Sequence, residues 1–136
     1  MTREIVKEWR KEYDSVGKVD FTIIKISYDL PTYPSEIRRF WYTGYCTFDE
    51  RFLNKTLRRC EYVNVHGGIT WEASGKPTDG EDATSSNKYT FGFDTNHLGD
   101  TDDPFDKCND VDGYLTRECE EMALQIILLE IENEDL

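Results

Sequence analysis

The chain has 136 residues, a length typical of a single domain spanning residues 1–136, and its 13% aromatic content excludes wholesale disorder. The formal net charge of −12 is uneven: residues 1–71 carry 12 basic and 10 acidic residues, whereas residues 72–136 carry 4 and 18, a net of −14. Direct nucleic-acid binding requires a basic surface and is not expected. No apolar run approaches the roughly 18 residues of a membrane span.

The N-terminal sequence and the cysteines predict an intracellular protein. Residues 1–8 alternate charged and apolar residues and lack the apolar core of a signal peptide. The four cysteines contain no C-x-x-C pair, and in a reducing compartment such cysteines are typically free thiols.

The first predicted element is a helix. Its inner face is formed by Ile5, Val6, Trp9 and Tyr13, at spacings that fit one side of a helix. Thr2 is its predicted cap and Gly17 its end. Residues 18–30 then predict a strand rich in β-branched residues. The apolar register of this strand changes face at Ile24, which indicates a bulge or a strand that serves two cores.

Three further segments predict strands. Residues 40–48 are rich in aromatic residues, and Gly44 among them indicates a bulge or a close approach of another element. Residues 62–71 predict two strand pieces on either side of a double glycine, which either turns a hairpin or bends one strand. Residues 88–94 alternate aromatic and small residues, so they predict a strand with one aromatic face.

The chain closes with a predicted helix over residues 114–132. Its core stripe is Leu115, Cys119, Met122, Ala123, Ile126 and Leu129. Ile127 and Leu128 widen the apolar surface, which predicts either deep burial against the sheet or contact with a second copy, a homo-oligomer through this C-terminal helix. The order of elements predicts an α+β domain, a mostly antiparallel sheet packed against an N-terminal and a long C-terminal helix.

Both histidines lie within two residues of a glycine after a predicted strand, and this pattern is typical of a site. Asp94, His97 and Asp100 are spaced as D-x-x-H-x-x-D, and His66 can approach from a neighbouring strand. Imidazole and carboxylate groups suit a divalent metal that activates water. Against a metal, no signature such as H-E-x-x-H is present. The favoured interpretation is that the histidines bond loop carbonyls and the aspartates cap turns, with no metal and no cofactor.

Two other groups are candidates for binding. Arg58 and Arg59 can hold a phosphate or an acidic partner, or else pair with the acidic half of the chain. Trp71 belongs to an aromatic group that forms either core or a recognition groove. The predicted binding residues are therefore His66, Gly67, Gly68, Trp71, Asp94, His97, Asp100, Arg58 and Arg59. No catalytic residue is assigned.

Three blocks of sequence carry a resemblance to a known family. They read V-H-G-G-I-T-W at 65–71, F-G-F-D-T-N-H-L-G-D at 91–100 and E-C-E-E-M-A-L-Q at 118–125. In these blocks the chain resembles a family of small uncharacterised bacteriophage and prophage proteins. The resemblance spans residues 44–125 and implies a viral origin and a setting in the bacterial host cytoplasm. It implies no mechanism.

Three functions remain open at this stage, and the third of them is a structural or regulatory phage component that oligomerises through the last helix. The first is a non-enzymatic phage protein that binds and inhibits a host factor in order to evade defence, with a basic nucleic-acid-binding protein as the expected partner. A charge of −14 matches the phosphates along about 24 Å of duplex, so the acidic half can partly mimic nucleic acid. The second is a metal-dependent hydrolase, or a module that sequesters a small ligand or nucleotide, centred on His66, Asp94, His97 and Asp100.

Overall fold

A long C-terminal helix packs across one face of a five-stranded antiparallel sheet in a computed structural model, which describes residues 2–27, 40–53, 63–77, 87–95 and 111–134, with side chains to residue 131. The elements are β1 (Thr2–Tyr13), β2 (Gly17–Ser27), β3 (Phe40–Asp49), a 3₁₀ turn (Glu50–Phe52), β4 (Trp71–Ser74), β5 (Lys88–Asp94) and α1 (Val111–Glu134). The spatial order is β1-β2-β3-β5-β4. The predicted α+β class and the long C-terminal helix are confirmed.

The predicted N-terminal helix is wrong, because residues 2–13 form β1 and pair with β2 along their whole length. Trp9 and Tyr13 are four residues apart, and this spacing places two residues on one side of a strand as well as of a helix. A bulge hides the strand period further, since Ile5 pairs with Ile24 but Lys7 pairs with Ile23. The extra residue moves the side chains before it to the other face of the sheet.

Both faces of β2 are buried, which confirms the prediction of a strand that serves two cores. The face toward α1, called the helix face below, holds Val19, Phe21, Ile23, Cys46, Phe48, Phe91 and Phe93. The opposite face, called the far face, holds a smaller cluster of Ile24, Ile26 and Tyr45, with Trp41 partly buried against it. Trp41 and Tyr45 therefore contribute to this second core. Burial of each large side chain contributes about 1.5–3 kcal/mol.

The helix packs on the sheet through the stripe that its sequence predicts. Five members of the stripe are buried at 1% exposure or less: Leu115, Cys119, Met122, Ala123 and Ile126. The predicted close approach at Gly44 is also confirmed, because a Cβ atom there would lie 2.6 Å from the Phe93 ring and 2.8 Å from Cys119 Sγ. The glycine therefore provides the space in which the middle of α1 meets β3.

The first strand holds the flank of the helix through polar contacts. Lys11 Nζ donates to Glu120 Oε2 at 3.0 Å, and Trp9 Nε1 donates to Glu120 Oε1 at 3.1 Å. Lys7 Nζ donates to Thr116 Oγ1 at 2.9 Å and lies 3.6 Å from Asp112 Oδ1. The basic residues of β1 thus face acids of the N-terminal half of α1. Within the ranges described above, no helix has the length and apolar character needed to cross a membrane.

Candidate functional site

His66 lies in a tight turn beside α1. The Gly68 amide donates to the Val65 carbonyl at 2.8 Å, so residues 65–68 form a four-residue turn. Gly67 and Gly68 have φ angles of +69° and +80°, in the left-handed region that side chains with a Cβ disfavour. The double glycine is therefore needed for this turn. The predicted strand pieces on either side of it are wrong, since residues 63–70 are irregular and β4 begins only at Trp71.

The side chain of His66 is bonded to the helix. Its Nδ1 atom lies 2.9 Å from the Tyr114 hydroxyl, and that hydroxyl donates to Glu118 Oε1 at 3.3 Å. The backbone amide of His66 donates to the same Glu118 oxygen at 3.1 Å. The imidazole also meets the Tyr114 ring edge to face. With Tyr114 donating to Glu118, Nδ1 is the atom that donates to Tyr114. The partner of Nδ1 is thus a helix hydroxyl, whereas the sequence predicted loop carbonyls as partners of the histidines.

The segment before His66 is bonded to the helix by one amide side chain. Gln125 Oε1 accepts from the Asn64 amide at 2.7 Å, and Gln125 Nε2 donates to the Asn64 carbonyl at 2.8 Å. Val63 and Val65 are buried on either side of this pair. Side chains of α1 therefore satisfy backbone groups that a neighbouring strand would satisfy in a sheet. This exchange explains why strand-like residues here form no strand.

Asp94 and Trp71 lie on the far face of the sheet. Phe91 and Phe93 face the helix, so the alternation of a strand turns Asp94 to the opposite side. Asp94 Oδ2 accepts from Thr70 Oγ1 at 2.9 Å. Trp71 is 40% exposed and meets the Tyr45 ring edge to face, with centroids 5.6 Å apart. The sheet thus separates Asp94 from His66, which lies against α1.

Four predicted binding residues lie outside the described part of the chain: Arg58, Arg59, His97 and Asp100. Their place in a site therefore stays a prediction. Among the residues that are described, no group of three or more His, Cys, Asp or Glu side chains could hold a metal ion. The structure brings Gly67 and Gly68 together with His66, and it brings Trp71 near the far-face aromatics, but it does not join these two sets.

A polar cleft lies on the far face and was not predicted from the sequence. It has a volume of about 310 Å³, and its lining includes Arg10, Asp20, Thr22, Thr47 and Lys76. Arg10 Nε donates to Asp20 Oδ1 at 2.6 Å, and this bond raises the pKa of the arginine. Arg10, Asp20 and Thr47 come from three neighbouring strands and form one row across the sheet. The pairing register decides which residues of the three strands lie side by side, and the sequence alone does not show that register.

One step along the same row, Thr90 joins two buried hydrogen bonds. Its hydroxyl donates to the Gly75 carbonyl at 2.6 Å, so its oxygen accepts from Thr47 Oγ1 at 2.7 Å. Thr90→Val keeps the shape but leaves both partners unsatisfied, and we expect it to lower the free energy of unfolding by about 2 kcal/mol. Thr47→Val removes only the outer bond and should lower it by about 1 kcal/mol or less. Denaturant titration measures both, and equal losses would contradict this order.

The two described thiols are poor nucleophiles. Burial raises the pKa of Cys119 to about 12 and raises that of Cys46 well above its ordinary value. A thiol reacts as its thiolate, so neither can initiate covalent catalysis at neutral pH. Cys119 is buried on the core stripe of the helix, as its sequence position predicts. These cysteines have packing roles.

The outer side of α1 carries the largest apolar exposure on the helix. Leu124, Leu128 and Ile131 are 41%, 57% and 40% exposed. They follow Arg117 and Glu121 along the same side, and both of these charged residues are exposed as well. The sequence indicates that Leu128 lies outside the core stripe, but it does not indicate which apolar residues face solvent. The polar cleft on the far face and this exposed side of α1 are the two candidate surfaces of the protein.

Comparison with known proteins assigns no function to either surface, so each surface is interpreted from the chemistry of its own residues. No family model, no curated protein and no solved structure matches this chain.

Proposed function

We propose that this protein is a non-enzymatic binding protein of phage origin, which associates with a basic protein in the bacterial host cytoplasm and inhibits it. The observation that carries the proposal is the charge of its last helix. Residues 118–136 contain seven acidic residues and no lysine, arginine or histidine. An acidic surface of this kind attracts a basic partner over long range and speeds its association.

The internal contacts of α1 indicate where this charge is directed. Asp112 and Glu120 lie against Lys7 and Lys11, and Glu118 accepts from the His66 amide. These acids, in the N-terminal half of α1, are partly neutralised or bonded within the domain. Glu130 is also buried. The charge offered to a partner therefore comes from exposed Glu121 and, in the sequence after Ile131, from Glu132, Glu134 and Asp135. A continuous mimic of duplex phosphates would need the whole acidic half, so a local protein-binding surface fits better than full nucleic-acid mimicry.

The geometry gives less support to a metal-dependent hydrolase or a small-ligand module centred on His66, Asp94, His97 and Asp100. His66 and Asp94 lie on opposite sides of the sheet, as described above. His66 and Glu118 hold the turn against the helix, and Asp94 bonds Thr70. Because His66 and Asp94 bond other residues of the fold in two separate places, their contacts support structural roles rather than a shared reaction centre.

The three sequence blocks that resemble phage proteins support the viral setting. Gly67 and Gly68 form the turn, Glu118 accepts from the His66 amide within it, Gln125 bonds the backbone of Asn64 just before it, and Cys119 fills the space at Gly44. A relative that keeps these residues would keep the contact between helix and turn. The resemblance therefore bears on a shared fold and does not identify the target.

The proposal is tested by capture from a bacterial lysate with purified protein, followed by a salt series. We expect retained host protein to be basic and to be released by about 0.5 M salt, where the screening length is only a few ångströms. A variant with Glu121, Glu132 and Glu134 changed to Gln should retain much less. The matched control changes Glu4, Glu8 and Glu12 of β1 to Gln, an equal loss of charge, and should bind normally.

Two outcomes would overturn the proposed function. One is that no host protein is retained at low salt. The other is that the same protein is retained equally by wild-type protein and by the Glu121/Glu132/Glu134 variant, which would remove the acidic helix from the interaction.

A further inference from the structure

We infer that the exposed stripe Leu124, Leu128 and Ile131 is the contact surface of the proposed interaction, and that its partner presents a basic amphipathic helix. This inference rests on the proposed function and adds the surface and the partner's chemistry. The three residues are spaced i, i+4 and i+7, so they share one side of α1. Together they form an apolar strip about 10 Å long.

The stripe is distinct from the residues that hold α1 on the sheet. Met122, Ala123 and Ile126 are fully buried on the helix face, whereas the residues of the stripe are at least 40% exposed. A half-exposed apolar residue contributes less to folding than a fully buried one, because part of its surface stays in water. Single exposed apolar residues are common, but three in a row with no polar residue between them on that side indicate an interaction site.

The charges around the stripe specify the partner. Glu121 is exposed one turn before Leu124, and the sequence after Ile131 contains three acids and no base, whereas Glu130 is buried. The C-terminal end of a helix already carries partial negative charge, so acids are unfavourable there for the helix itself. A partner with Lys or Arg flanking an apolar row would relieve this repulsion and cover the stripe at the same time. An amphipathic helix provides both features at matching spacing.

A second copy of this chain fits the stripe poorly. In a parallel or an antiparallel pairing of two α1 helices, acids would meet acids, because residues 118–136 contain no base to oppose them. Like charges across an interface weaken association. The predicted homo-oligomer through the C-terminal helix is therefore less well supported than a basic partner, and self-association is an outcome that the experiment must detect.

The stripe is tested with a synthetic helical peptide of about 18 residues, made of Leu and Lys in an amphipathic order. The control peptide has the same composition in scrambled order. We expect calorimetry to detect binding of the amphipathic peptide by the protein of residues 1–136, with weaker binding at high salt. The scrambled peptide should bind about tenfold more weakly. Equal binding of the two peptides would overturn the inference.

The decisive variant is Leu128→Glu, because it adds negative charge while removing an apolar contact. If the stripe is the contact surface, this variant and Leu124→Gln should each bind the peptide about tenfold more weakly. If attraction is purely electrostatic, Leu128→Glu should bind as tightly as wild-type protein or more tightly, and this result would overturn the inference. Arg117→Gln changes an exposed residue on the same side before the stripe and should not weaken binding. Circular dichroism checks that each variant is folded.

The remaining outcomes separate this inference from the proposed function. If Leu128→Glu and Leu124→Gln leave peptide binding unaffected, the stripe is not the contact surface. Salt-sensitive capture of a basic host protein would in that case still support the proposed function. Stripe-dependent peptide binding without any captured host protein supports the surface and overturns the function. Dimer formation at micromolar concentration that Leu128→Glu abolishes would overturn the choice of partner.

Discussion

Replacing Gly44 with alanine is expected to lower the free energy of unfolding by about 3 kcal/mol. The new methyl group would lie 2.6 Å from the Phe93 ring and 2.8 Å from Cys119 Sγ, well inside van der Waals contact. Phe93 and Cys119 are fully buried, so neither can move into solvent to make room. The helix must therefore shift from the sheet or the strand must bend. Chemical denaturation followed by circular dichroism measures the loss.

The matched control is Gly68→Ala, which separates packing from backbone strain. No atom lies within 4 Å of a Cβ at Gly68, but its φ of +80° makes any side chain strained. We expect this control to lose only about 1 kcal/mol. Adding Cys119→Ala to Gly44→Ala should give a loss smaller than the sum of the two single losses, because it removes one of the clashing atoms. A Gly44→Ala protein as stable as wild type would contradict the close approach.

Raising the pH above about 9 is expected to destabilise the folded protein through its buried thiols. Burial raises the pKa of Cys119 to about 12, and it raises that of Cys46 well above its ordinary value. Between the unfolded and folded pKa values, the unfolded chain releases these protons while the folded chain keeps them. Stability therefore falls as pH rises, by about 1.4 kcal/mol per pH unit for each such thiol. Below the pKa that the thiols have in the unfolded chain, both states keep these protons, so the thiols no longer make stability depend on pH.

A titration of unfolding free energy from pH 7 to pH 11 measures this slope. Cys119→Ala should lose some stability at pH 7 through the cavity that it leaves, but its alkaline slope should be shallower by about 1.4 kcal/mol per pH unit. Tyr13, whose pKa is also raised by burial, acts in the same direction and should be unaffected by the substitution. Identical alkaline slopes for the wild-type protein and Cys119→Ala would contradict the assignment.

Most of the sheet and the helix stripe could be predicted from residue periodicity. β2, β3 and β5 follow their apolar and aromatic alternation closely, and the buried side of α1 follows its three- and four-residue spacing. The first strand was missed because the pair Trp9 and Tyr13 satisfies both periods and because a bulge at Val6 shifts the register. A bulge is determined by pairing with a distant strand, and local sequence does not reveal that pairing.

The candidate site was harder to predict because its key partners are distant in sequence. His66 is bonded to Tyr114, 48 residues away, and Asn64 is bonded to Gln125, 61 residues away. From sequence, a histidine beside two glycines suggests a site on a sheet edge, whereas its contacts attach a turn to a helix. The hydroxyl row of Thr47 and Thr90 depends equally on strand register. Such long-range partners could be identified only once the topology was known.

The central claim is that the outer side of the C-terminal half of α1 binds a basic amphipathic partner. It is tested most directly by amide NMR of the protein of residues 1–136 with the Leu–Lys peptide. We predict that the largest shift changes cluster between Glu121 and Glu134, with little change at His66, Trp71 or Arg10. Shift changes concentrated at the far-face cleft or around Trp71, with residues 121–134 unaffected, would contradict the claim.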